Sequence, residues 1–183
     1  LIGGAAGDAI TTSNANVALG RLALSAETTS NGNTAIGAEA LRNQNVGGSG
    51  DARNTAVGLL AGANVSTGTL NVAVGALALQ NNTTASNSTA VGYQAGYSNT
   101  TGAALTAIGQ NALRSSTTAS NNVAVGQDSL YNLTTGTGNV VLGTAASRGM
   151  TTGNYNVVVG QEALKSNTTA SENTAVGYRA SFS

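Results

Sequence analysis

The chain has 183 residues, seven Lys+Arg against seven Asp+Glu, no His, Cys, Pro or Trp, and 3% aromatic residues. A net charge of zero gives nucleic acid and anionic membrane surfaces nothing to grip, and without His or Cys neither a nucleophilic triad nor a zinc site can be built. Apolar residues reach 40%, too many for a disordered chain, yet no run approaches the roughly 20 needed to cross a bilayer.

From Leu1-Ile2-Gly3 onward the sequence keeps a beat. Marker glycines stand at Gly3, Gly20, Gly37, Gly58, Gly75, Gly92, Gly109, Gly126, Gly143, Gly160 and Gly177, nine of the ten intervals being 17 residues and one 21. A fixed short period denotes stacked units that touch only their neighbours. Each glycine closes a short apolar run: Asn16-Val17-Ala18-Leu19-Gly20, Asn33-Thr34-Ala35-Ile36-Gly37, and so on to Asn173-Thr174-Ala175-Val176-Gly177. Ser88 and Leu105 replace the asparagine in two copies. β-Branched residues in runs of this length predict a strand. Apolar character on both faces predicts that both are covered, and the glycine supplies the turn that follows.

The segment after each glycine, as in Ala38-Glu39-Ala40-Leu41-Arg42-Asn43 and Gln161-Glu162-Ala163-Leu164-Lys165, is rich in helix formers. An acid falls two residues after glycine (Glu39, Asp128, Glu162) and a base five after (Arg42, Arg114, Arg148, Lys165). That spacing suits a helix surface and its dipole, so one to one-and-a-half helical turns are expected. The leucine four after glycine (Leu24, Leu41, Leu79, Leu113, Leu130, Leu164) is expected to pack inward. Where it is missing, Tyr97 and Phe182 are expected to refill the gap, while Gly7, Gly62 and Ser147 have no such substitute. Thr-Thr pairs such as Thr83-Thr84 and Thr117-Thr118 are expected to close the coil by a turn or a short second strand. Stacking puts like on like, so threonines and asparagines are expected to form ladders that satisfy the backbone at the corners.

The fold expected is an all-β parallel β-solenoid (a β-roll) of about eleven coils with short helical turns. It runs through residues 1–183 as one segment of a longer fibrous protein. The four extra residues before Gly58 predict a surface loop around 43–53, with Asn45, Gly48, Asp51 and Arg53 as candidate binding residues. The strand also has a spare apolar face. If the residue before glycine points in, the candidate inter-chain stripe is Ala18, Ala35, Ala56, Ala73, Ala90, Ala107, Ala124, Val141, Val158 and Ala175. The sequence leaves open which face turns inward. A soluble monomer rarely exposes so long a stripe, so an oligomer is expected.

With its alanine two before glycine, Asn-Thr-Ala-Val-Gly resembles the head repeat of trimeric autotransporter adhesins, a left-handed parallel β-roll assembled as a homotrimer. The longer form from Ser88 to Gly96, and from Asn173 to Ala180, also resembles repeats of bacteriophage tail fibres. The adhesin repeat is shorter, and the extra residues here fall in the turn and Thr-Thr segments. The resemblance implies a non-enzymatic, homotrimeric, extracellular fibre segment for spacing and attachment on a virion or cell-surface appendage. Its partners would be its own copies and a host-surface receptor or glycan. The head of a bacterial adhesin is the alternative. No cofactor or metal is expected, since Asp8 in Gly3-Gly4-Ala5-Ala6-Gly7-Asp8 has no recurring aspartate to extend a calcium roll. Ice binding by a threonine ladder ranks behind, because adjacent threonines in an extended segment face opposite sides and leave one file.

Overall fold

The computed structural model describes residues 2–48 and 50–181. Ten three-residue strands follow one another: β1 (Val17–Leu19), β2 (Thr34–Ile36), β3 (Thr55–Val57), β4 (Val72–Val74), β5 (Thr89–Val91), β6 (Thr106–Ile108), β7 (Val123–Val125), β8 (Val140–Leu142), β9 (Val157–Val159) and β10 (Thr174–Val176). They form one parallel sheet in sequence order. The register is strict, Ala18 opposite Ala35, Ala107 opposite Ala124, Val141 opposite Val158. Ten strands bound nine complete coils, and Ile2 pairs with Leu19 to begin another. Each marker glycine N–H continues the ladder, as Gly126 to Ile108 O and Gly143 to Val125 O, both 2.8 Å. At the parallel-strand spacing the ten rungs run about 43 Å.

The expected helical turns do not form; among the described residues there is no helix. The residues two and four after glycine hold positive φ instead: Glu39 61°, Leu41 48°, Asn111 57°, Leu113 51°, Glu162 56°, Leu164 51°. A right-handed helix is closed to a backbone that alternates in this way. The flipped peptides aim their N–H groups along the rod rather than four residues back. Glu39 N donates to Arg21 O in the preceding coil at 2.8 Å, and Leu41 N to Ala61 O in the following coil at 3.0 Å. Between them Ala40 N closes a tight turn on Gly37 O at 3.2 Å. Left-handed backbone costs about 1–2 kcal/mol per non-glycine residue. Hydrogen bonds to both neighbouring coils offset it, and only a stack can supply them.

The core is three columns wide. The strand's middle residue is inside, with Ala35, Ala56, Ala90, Ala107, Ala124, Val141 and Val158 all 0% exposed. The alanine three after glycine and the leucine four after it complete the filling, as with Ala112 and Leu113. This corrects the inter-chain stripe expected at Ala18, Ala35, Ala56, Ala73, Ala90, Ala107, Ala124, Val141, Val158 and Ala175, which is the inward file. The middle residue is alanine on eight rungs and valine on two, and the residues on either side of it turn outward.

Missing leucines are compensated seven residues after glycine, a position the sequence reading overlooked. Gly62 is followed by buried Val65, Ser147 by buried Met150, and Gly7 by Ile10, which packs on the core. At Gly96 a Cβ would lie 2.8 Å from Leu79 Cδ2, so the leucine of the preceding coil already occupies that space. Tyr97 therefore does not refill the gap; it is half-buried, and its ring meets Arg114. Phe182 lies outside the described residues.

Candidate functional site

Three surfaces of the rod carry the candidate residues. The first is the outer face of the sheet, where the first and third residues of every strand point away from the core. Its two files read Val or Thr, and Val, Ile or Leu, with no charged residue on any of the ten rungs. Val17, Leu19, Val91, Ile108, Val140, Leu142, Val157, Val159 and Val176 are between 36% and 67% exposed. An uncharged, β-branched strip of this length is larger than monomeric proteins usually leave uncovered.

The second surface is the 43–53 loop. Asn45, Gly48 and Asp51 fasten it to the preceding coil. Asn45 Nδ2 donates to Ala26 O at 3.0 Å, and its Oδ1 accepts from Gly47 N at 3.1 Å. Gly48 O accepts the Thr29 hydroxyl. Asp51 pairs with Arg53 at 2.6 Å and accepts from Asn31 Nδ2 at 3.2 Å. Asn31 and Asp51 form a parallel bridge, with Ala52 N on Asn31 O at 3.1 Å. The extra residues thus bulge and rejoin the ladder.

The asparagines at the strand entrance form the expected ladder. Asn139 Oδ1 accepts from Asn156 N at 3.0 Å, and its Nδ2 donates to Gly153 O at 2.9 Å. Asn71 does the same with Ser88 N at 3.0 Å and Ala85 O at 2.8 Å. Leu105 has no such oxygen and breaks the series. The first threonine of each pair hands its hydroxyl to the next coil, Thr83 to Thr100 O and Thr100 to Thr117 O, both 3.0 Å. The second stays outside, as at Thr84, Thr101, Thr118 and Thr135, in a single file.

The third surface is the turn face of the later coils. The column five after glycine reads Tyr97, Arg114, Tyr131, Arg148, Lys165. Arg114 lies over the rings of Tyr97 and Tyr131, each 5.5 Å from the guanidinium carbon, and Arg148 lies 5.2 Å from the Tyr131 ring centre. Arg114 Nε also donates to Gln94 Oε1 at 3.0 Å. The sequence reading named the bases of this column and took Tyr97 for a core filler, without setting Tyr97 and Tyr131 between the bases, although the register contained all of them.

The acid–base pairs expected on helices form on the turns instead. Glu39 meets Arg42 at 2.5 Å and Glu162 meets Lys165 at 2.7 Å. Each acid also reaches a neighbouring coil, Glu39 to Arg21 and Glu162 to Arg179. Hydrogen bonds from Lys165 and then Arg179 hold the Glu162 carboxyl below its ordinary value, and Glu162 in turn raises Arg179. Asp128 sits 3.8 Å from Arg148.

Among the described residues no three His, Cys, Asp or Glu side chains gather as a metal site would require, and no pocket opens between the coils. No helix among them is long and apolar enough to cross a membrane. Comparison with protein-family models, curated proteins and solved structures returns no match.

Proposed function

We propose that this chain is a structural segment of a surface fibre, non-enzymatic, that associates as a homotrimer through its sheet face and serves spacing and attachment on a virion or cell-surface appendage. The observation that carries the reading is the uncharged strip of ten rungs, with Val, Ile and Leu outward on every rung. Three copies around an axis parallel to the rod would cover all three strips with one repeated contact, and a closed symmetry leaves no strip over. β-Branched side chains in strict register suit such a contact, because they lose little freedom on packing.

Sedimentation tests this. The expected particle has three times the chain mass of 17.8 kDa, and a monodisperse monomer overturns the proposal. Ile108→Glu combined with Leu142→Glu places charges on the exposed file, and is expected to release folded monomers with an unchanged β signal.

A further inference from the structure

The second half of the chain carries the aromatic side chains. All five tyrosines lie at or beyond residue 93, and four of them, Tyr93, Tyr97, Tyr131 and Tyr178, stand on the turn face. Immediately after the marker glycines, Leu59, Leu60 and Leu77 of the early coils give way to Tyr93, Gln94, Gln110 and Asn111. The turn face thus gains tyrosines and amides in the later coils, while the early coils keep a charged cluster of their own, Arg21, Glu39 and Arg42. The Tyr97–Arg114–Tyr131–Arg148 ladder lies within this later stretch.

The ladder's geometry sets what it can hold. Arg114 and Arg148 lie beside tyrosine rings, and the planar edge of a guanidinium is the fork that reads a carboxylate. Arg114 makes no ion pair among the described residues, and its Nε is fixed by Gln94 at 3.0 Å. Arg148 is 46% exposed at the side chain and only 3.8 Å from Asp128, a loose pairing that a ligand carboxylate can supplant. Tyr and Arg alternate, so equivalent groups recur every second coil, about 9.6 Å at the parallel-strand spacing. That is close to the length of a disaccharide in an extended chain. A linear polymer with an acid on every second sugar therefore places its carboxylates in step with the arginines.

We propose that the turn face from Tyr93 to Lys165 binds an extended acidic polysaccharide along the rod, Arg114 and Arg148 taking the carboxylates of alternate sugars and the tyrosine hydroxyls the sugars between. This rests on the attachment role proposed above, but uses a different surface from the sheet face, so the two fail separately. The 43–53 loop has no part in it.

Affinity electrophoresis of the full chain through gels containing hyaluronan, which carries a carboxylate on every second sugar, or neutral dextran tests the proposal. Retardation by hyaluronan alone is expected. Arg114→Gln and Arg148→Gln should each weaken it about tenfold, the loss of one charge-assisted hydrogen bond, while Arg53→Gln in the loop leaves it unchanged. No retardation by hyaluronan, equal retardation by dextran, or equal loss with Arg53→Gln overturns it. Circular dichroism of each variant separates lost binding from lost folding, and Arg114→Lys, which keeps the charge but not the planar fork, should restore only part of the affinity. A monomer by sedimentation that still binds hyaluronan would sink the trimer and leave this proposal standing.

Discussion

At the scale of single residues, the marker glycine is needed for its contact with the next coil as much as for its dihedral angle. A Cβ built on Gly109 would sit 2.6 Å from Gly126 O and 2.7 Å from Gly126 C, with φ at +129°. Neither neighbour can move without dragging its own strand. Gly109→Ala should therefore cost about 3 kcal/mol or more, measured by denaturant unfolding. Gly4→Ala, with open space around the new methyl, should change little. Glu162 gives a second test. Its carboxyl is held below the ordinary value of 4.5 by Lys165 and Arg179, so its contribution is complete above that value. It fades as pH falls through the lower folded value. The melting temperature should drop more steeply below pH 4.5 in the parent than in Glu162→Gln, and only modestly, since the group is at the surface.

At the scale of one coil, filling is shared between the positions four and seven after glycine. Leu79 with Asn82 and Leu113 with Ser116 show the common arrangement, a large apolar group followed by a small polar one. Ser147 with Met150 reverses it. Met150→Asn should destabilise by about 3 kcal/mol, as other losses of a large buried side chain do. Adding Ser147→Leu should recover much of this, and a double-mutant cycle by thermal or chemical unfolding would measure the coupling. The strands, the inward leucines and the asparagine ladder were legible in the sequence because each is a repeated column, and columns survive whatever path the chain takes between them. The turn was misread for a physical reason. Glu39, Ala40, Leu41 and Arg42 favour a helix when judged alone, but here Glu39 N and Leu41 N find carbonyls in the coils on either side. Local propensity says nothing about a partner 17 or more residues away. The inward identity of Ala107 was equally invisible, since Ala, Val and Ile are all plausible on either side of a covered strand. The folded coil turns the middle residue inward on every rung, alanine and valine alike.

At the scale of the whole molecule, the outer surfaces divide the work that the proposals assign. The sheet face is uniform from β1 to β10, as a self-contact requires. The turn face carries tyrosines only in the later coils, as recognition of something else allows. Ala107→Glu and Ile108→Glu separate these layers although they are adjacent in the chain. The first puts a charge into the core and should abolish the β signal in circular dichroism; the second should leave that signal intact.

The strict pairing of every strand with the one 17 residues on, the single 21-residue interval aside, has a consequence for how such a rod is lengthened. No contact reaches beyond the adjacent rung in the sheet, so a whole coil can be excised and the cut faces rejoin as if they had always met. Deleting residues 110–126 should give a folded rod shorter by about 4.8 Å, read by small-angle scattering, whereas removing one residue fewer should leave a coil with one extra residue that bulges from the stack, as the 43–53 loop does, with the same shortening. Length is thereby quantised: the polypeptide is a ruler graduated in indivisible steps, and its reach changes by duplication or loss of whole graduations without any redesign of the interior.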